Sequence, residues 1–212
     1  MAIDKVKGLI KSILFSRRTF GATGDSWRSP TIPEEQLKVV DSELEMLRRG
    51  VPLSVYTVGA EALNSIPGDA KLTLLEVGSA SGYYVEVISE LCGDRFEYTG
   101  SDYSDAMLAV ARKRYLDSKF LKLDIMQIEL PVKAYDVVFS GAVIEHVKEW
   151  EGATRELCRV ARSHLILHRT PVTDVGSYKT EKKIYGGVPV FFNRLNKGEL
   201  MTNVSECGFR KV

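Results

Sequence analysis

The residues Glu76-Val77-Gly78-Ser79-Ala80-Ser81-Gly82 gather small side chains into a run short enough to form one turn. Such a turn lets backbone N–H groups approach a ligand with no side chain intervening. A helix that follows it adds further unsatisfied donors at its N-terminus. This combination suits a nucleotide-like cofactor, although a small-residue turn can also simply join a strand to a helix. Downstream, Asp102 and Asp124 each end an apolar run. A carboxylate there can accept hydrogens from a ligand, and it can equally be an ordinary turn residue or helix cap. Two histidines bring titratable groups to further strand ends. His146 suits a general base, and it suits a backbone-bonded support for the loop just as well. His168 is followed by Arg169, Thr170 and Pro171, which sets a cation beside a titratable group. That pair fits recognition or deprotonation of an anionic acceptor, or a plain turn contact.

These residues need a scaffold that carries strand ends to one edge. From about residue 70 the pattern alternates. Strands are expected at Leu72–Val77, Phe96–Ser101, Phe120–Leu123, Tyr135–Ser140 and Leu165–His168, with helices over Tyr83–Leu91, from the Ser104 cap to about Tyr115, and Glu149–Ala161. Strands alternating with helices imply an α/β domain with a doubly wound, mostly parallel sheet and helices on both faces. Before it, residues 20–32 read as an irregular linker, followed by helices over Glu34–Arg49 and Val55–Ile66. After it, residues 172–190 read as an irregular insertion, and Asn196 or Lys197 opens a last helix ending near Gly208. Trp27, Tyr56, Tyr178 and Tyr185 fall in segments expected to cover the pocket, as acceptor walls or as packing. The run Lys179–Lys183 reads as a solvated loop.

Tyr83 breaks the dinucleotide fingerprint G-x-G-x-x-G begun at Gly78, and no Walker-type lysine is present, which disfavours nicotinamide chemistry. The order of Glu76, Gly78, Ala80 and Gly82, then Asp102, Asp124-Ile125, Ser140-Gly141-Ala142 and Ile144-Glu145-His146-Val147, resembles that of class I S-adenosylmethionine-dependent methyltransferases of the small-molecule kind. Ala80 stands where the family has its middle glycine. The resemblance implies contact with S-adenosyl-L-methionine through Glu76, Gly78, Ser79, Ala80, Gly82, Tyr83, Asp102, Tyr103, Asp124, Ile125, Ser140 and Gly141. It implies catalytic roles for His146 and His168, and methyl transfer to O or N of a small-molecule acceptor. A shorter likeness, through His168–Pro171, Lys179–Glu181 and Pro189–Asn193, is to methyltransferases of bacterial surface-polysaccharide loci. The rival readings are a methyltransferase-fold binding or regulatory subunit and an oxidoreductase.

The implied division is a helical arm and cap over 1–69 and a cofactor-binding domain over 70–212. Compared with the family's sheet the chain stops about one strand short, with Phe209–Val212 beginning a sixth strand. An unpaired edge beside the fifth strand then predicts a homodimer. The chain has 212 residues, 44% hydrophobic and 27% charged, with a net charge of +1, as expected of one ordinary globular domain. The near-neutral charge and the absence of a Pro-Pro-Tyr or Pro-Cys loop after the fourth strand make nucleic acid an unfavoured substrate. No apolar run is long enough to span a bilayer. Within residues 1–18 five basic side chains face one acid, so this segment reads as an arm packed on the domain or as a membrane-surface helix. Cys92, Cys158 and Cys207 form neither a disulfide framework nor a metal site, in keeping with a cytoplasmic setting.

Overall fold

The computed structural model describes residues 23–176, 179–185 and 187–211; the segment 1–18, Gly21, Tyr178 and Val212 lie outside them. Thr23–Arg28 forms a 3-10 turn where the linker was expected. Helix α1 (Ile32–Arg48) starts on Pro33 with Glu34 and Glu35 in its first turn, and it buries Val40, Leu44 and Leu47 on one face. Helix α2 (Ser54–Asn64) follows. Strand β1 (Leu72–Val77) leads to α3 (Tyr84–Cys92), β2 (Phe96–Asp102), α4 (Asp105–Arg114) and β3 (Lys119–Lys122). Strand β4 (Tyr135–Gly141), helix α5 (Trp150–Val160) and strand β5 (Ala161–His168) complete the main sheet. Strand β5 begins earlier than expected because its first half, Ala161-Arg162-Ser163-His164, is polar and partly exposed, so it shows no apolar run.

All pairings in this sheet are parallel, in the order β3-β2-β1-β4-β5. The order reverses between β1 and β4, and in such folds ligands bind at the carboxyl ends beside that switch point. Side chains alternate across the sheet. Leu74 packs with Leu44, Tyr56, Leu63 and Tyr84 on one face, while Leu75 and Val77 pack with Ile144, Trp150 and Leu157 on the other. The helices that precede residue 70 therefore share a core with the sheet.

The segment expected to be irregular is instead a second, small sheet. Strands β6 (Val172–Thr173), β7 (Lys179–Tyr185) and β8 (Val188–Asn196) take the order β6-β8-β7, with β7 and β8 antiparallel. The seven residues of β7 carry four charges and no strict alternation, so pattern alone does not reveal a strand. Helix α6 (Lys197–Glu206) is capped by Asn196, whose Oδ1 accepts the Glu199 N–H. Residues 209–211 form no sixth strand, and among the described residues β5 is the sheet edge. No helix among the described residues is long and apolar enough to cross a membrane.

Candidate active site

The turn after β1 is fastened by its own backbone. The N–H groups of Gly78 and Ser79 both donate to the Ser101 carbonyl at 2.8 Å, and the Gly82 N–H donates to the Ser79 carbonyl at 2.8 Å. Gly78 and Gly82 have φ of +83° and +79°, a region that costs other residues energy. A Cβ at Gly78 would lie 2.3 Å from Val143 Cγ2, and one at Gly82 would lie 2.7 Å from Phe120 Cζ. Both glycines thus permit close packing of the loop against its neighbours. Ala80, at φ +49°, keeps a left-handed conformation without being glycine. Its N–H donates to Asp102 Oδ2 at 2.9 Å, which ties the turn to the end of β2. From α1, Gln36 Oε1 accepts from the Ser81 N–H and hydroxyl at 3.2 and 2.7 Å.

This turn borders a cavity of about 810 Å³ at the carboxyl ends of the main sheet, within the range of roughly 300–1,000 Å³ usual for small-molecule sites. Gly78, Ala80, Tyr83, Asp102, Tyr103, Asp124, Ile125, Gly141 and His146 all line it. Asp102 is buried, and burial raises its pKa against the opposing pull of the Ser104, Ala80 and Tyr103 N–H groups. Its Oδ1 accepts the Ser104 N–H at 2.8 Å and its Oδ2 accepts the Ala80 N–H. Asp124 is exposed, with Oδ1 accepting the Met126 N–H at 2.9 Å.

Five sequence-selected residues do not line the cavity. Glu76 is buried between strands, accepts the Tyr98 hydroxyl, and is pushed up to about 8 chiefly by burial. Ser79 is fully buried, and Gly82 packs on Phe120. The Ser140 hydroxyl donates to the Val77 carbonyl at 3.1 Å, joining β4 to β1. His168 faces α2: its Nε2 donates to the Val55 carbonyl at 2.8 Å, and its ring packs against Gly59 and Phe139. Burial lowers its pKa, which keeps the ring neutral. The expected catalytic position of His168 is thus a helix-to-sheet tether.

His146 differs. Its Nδ1 donates to the Phe191 carbonyl at 2.5 Å, a partner that can only accept, so the neutral ring keeps its lone pair on Nε2. Burial, outweighing the Phe191 hydrogen bond, lowers its pKa. Trp27 packs on the ring at 4.6 Å between centroids, and Tyr185 lies 5.1 Å beyond Trp27. Next to His146, Glu145 is only 2% exposed, lines the cavity and leaves Oε2 with no hydrogen-bond partner. Burial pushes its carboxyl up to about 7, partly offset by its own backbone N–H, Arg169 and Lys183.

Residues 75–167 match the model of a family described as a methyltransferase domain. That match begins in β1, ends in β5 and contains the turn, both acids and His146. Residues 75–167 are thus similar to methyltransferase domains of the class I, S-adenosylmethionine-dependent kind. The chain is 36% identical over 99 residues to the malonyl-[acyl-carrier protein] O-methyltransferase of Serratia marcescens, covering 47% of this chain and 36% of that one. The chain is 25% identical over 150 residues to the demethylmenaquinone methyltransferase of Thermus thermophilus, covering 68% and 62%. It therefore spans less than two thirds of either relative's length. The crystal structure of an S-adenosylmethionine dependent methyltransferase from Mesorhizobium loti shares the fold, with a TM-score of 0.55 at 16% identity over 74% of this chain and 82% of that one.

Within the methyltransferase domain, Glu145 was visible in sequence only as one letter of Ile144-Glu145-His146-Val147. An acid set between apolar residues was the available signal. Lys183, read as solvated, lines the cavity because β7 folds over its mouth.

Proposed function

We propose that this chain transfers a methyl group from S-adenosyl-L-methionine to an oxygen or nitrogen of a small-molecule acceptor. The observation that carries this reading is one cavity lined by Asp102 and Asp124 and by His146, whose Nδ1 is committed elsewhere. The donor set fits the cofactor. A carboxylate offers about four lone-pair sites, so Asp102, on which the N–H groups of Ala80, Tyr103 and Ser104 act, keeps about one for a ribose hydroxyl. Asp124 and Ile125 would hold the adenine edge, with the Gly78–Ala80 backbone and Gly141 along the remainder. When bound, S-adenosylmethionine supplies an electrophilic methyl carbon.

The chain's own work is alignment and proton handling. Trp27, Tyr185 and residues of β8 wall the cavity. The lone pair on His146 Nε2 takes the proton from an acceptor hydroxyl or ammonium, a contribution of about 10²–10⁴ in rate. Because burial lowers its pKa, that nitrogen is unprotonated at neutral pH. Glu145, buried beside it in the cavity lining, carries an oxygen with no protein donor, a second group that would orient the acceptor. Near-neutral charge and unpaired cysteines fit a small-molecule enzyme of the cytoplasm.

S-adenosylhomocysteine, which keeps the adenosine and amino-acid parts, is expected to raise the melting temperature by mass action, and NADH is expected not to. A thermal-shift titration decides this. A shift with NADH alone would favour the oxidoreductase reading, and no shift with either would remove the cofactor site.

A further inference from the structure

The charged residues that line the cavity include Arg28, which lies 5.1 Å over the Tyr103 ring, next in sequence to Asp102. Asp102 and Asp124 stand at the ends of β2 and β3, whereas Arg169 follows β5 and Lys183 lies in β7. Neither Arg169 nor Lys183 has a carboxylate at ion-pair distance among the described residues. Lys183 Nζ instead sits over the Phe192 ring, 3.2 Å from its centroid. Arg169 is held at φ +59°, an unfavourable conformation for a side chain of its size, and interacts with Tyr83. Glu43, the other acid that acts on Arg169, is occupied by the Tyr56 hydroxyl at 2.7 Å. Lys148 and Glu149, also in the lining, pair with one another at 3.9 Å. Arg169, Lys183 and Glu145 therefore set the charge of this end, a formal sum of +1 with Glu145 ionised.

The same end is walled by flat rings. Trp27 stacks between His146 and Tyr185, and Phe192 meets His146 edge-on at 5.9 Å. Glu145 also lines it, with its Oε2 buried and without a donor from the protein. Two cations without carboxylates and one acceptor oxygen without a donor are complementary to a single ligand.

We propose that Arg169 and Lys183 form an anion-binding subsite, and that the acceptor is a small planar molecule bearing one carboxylate or phosphate. Its anionic group lies between the two cations, its ring against Trp27 and Tyr185, and a hydroxyl or amine hydrogen reaches Glu145. This rests on the methyltransferase reading for the word acceptor, but the binding site stands on its own residues.

The test is calorimetry on the full chain at low salt, with benzoate, phenyl phosphate and neutral benzamide, each with and without S-adenosylhomocysteine. At least one anion is expected to bind ten or more times tighter than benzamide. Which anion wins separates a carboxylate acceptor from a phosphate one. Arg169→Gln and Lys183→Gln are each expected to remove most of that preference, and Lys113→Gln, outside the cavity, to leave it intact. Benzamide binding as tightly as both anions, no saturable anion binding, or a preference that survives in a folded Arg169→Gln or Lys183→Gln protein would overturn the subsite. Failure of the methyltransferase reading shows separately, as an absent heat for S-adenosylhomocysteine.

Discussion

Two buried acids show how environment, and not residue type, assigns a role. Glu76 and Asp102 both stand near the carboxyl ends of adjacent strands, but only Asp102 opens on the cavity. Glu76 is sealed against Tyr98 and holds its proton up to about 8 because burial disfavours the charge. Its folded pKa lies above the unfolded value near 4.5, so its contribution to stability is fully present below that value and is lost as pH rises towards 8. The steepest loss from one such group is about 1.4 kcal/mol per pH unit. Glu76→Gln keeps an acceptor for Tyr98 and is expected to flatten the fall in melting temperature between about pH 5 and pH 8. An unchanged pH profile in that variant would show that Glu76 is ionised in the fold. Asp102 was legible in the sequence because a strand end and a preceding small-residue turn are local features. The inward turn of Glu76 was not, since Tyr98, its hydroxyl donor, is fixed only by strand pairing.

The elements show the same division between local and distant causes. The five main strands and their order of helices could be read because strand-like and helix-like segments alternate, with turn residues between them. The β7–β8 hairpin could not, because its charged strand gains its place from pairing with β8 and from packing over the cavity. His168 shows a related division: a strand end predicts exposure to ligand, whereas α2 presents Gly59 and the Val55 carbonyl to the ring. His168→Phe keeps the ring volume and leaves that carbonyl unpaired, which is expected to cost about 1–3 kcal/mol. S-adenosylhomocysteine affinity measured by calorimetry is expected to be unchanged in the same variant, whereas a cofactor-site histidine would lower it. Gly82→Ala tests the loop as an element. The added methyl falls 2.7 Å from Phe120, at a positive φ, and is expected to destabilise by about 1–3 kcal/mol in denaturant unfolding.

At the scale of the molecule, one parallel sheet brings Asp102, Asp124 and His146 to a single cavity, whose lining also includes Trp27, Gln36 and residues of the small second sheet. The shared core of α1 and α2 with β1 makes these helices part of the site's frame: Gln36 holds the turn itself. In the proposed reading Asp102 and Asp124 face an adenosine, and Arg169 and Lys183 face what receives the methyl group. The central claim is that Asp102 holds the ribose of S-adenosylmethionine or its product. The most direct measurement is the calorimetric affinity of S-adenosylhomocysteine for the wild-type chain and for Asp102→Ala. Saturable binding by the wild type, weakened at least tenfold in a folded Asp102→Ala protein, a loss of about 1.4 kcal/mol or more, is the expected result. Equal affinity in the two proteins, or no binding by the wild type at millimolar concentration, would contradict it.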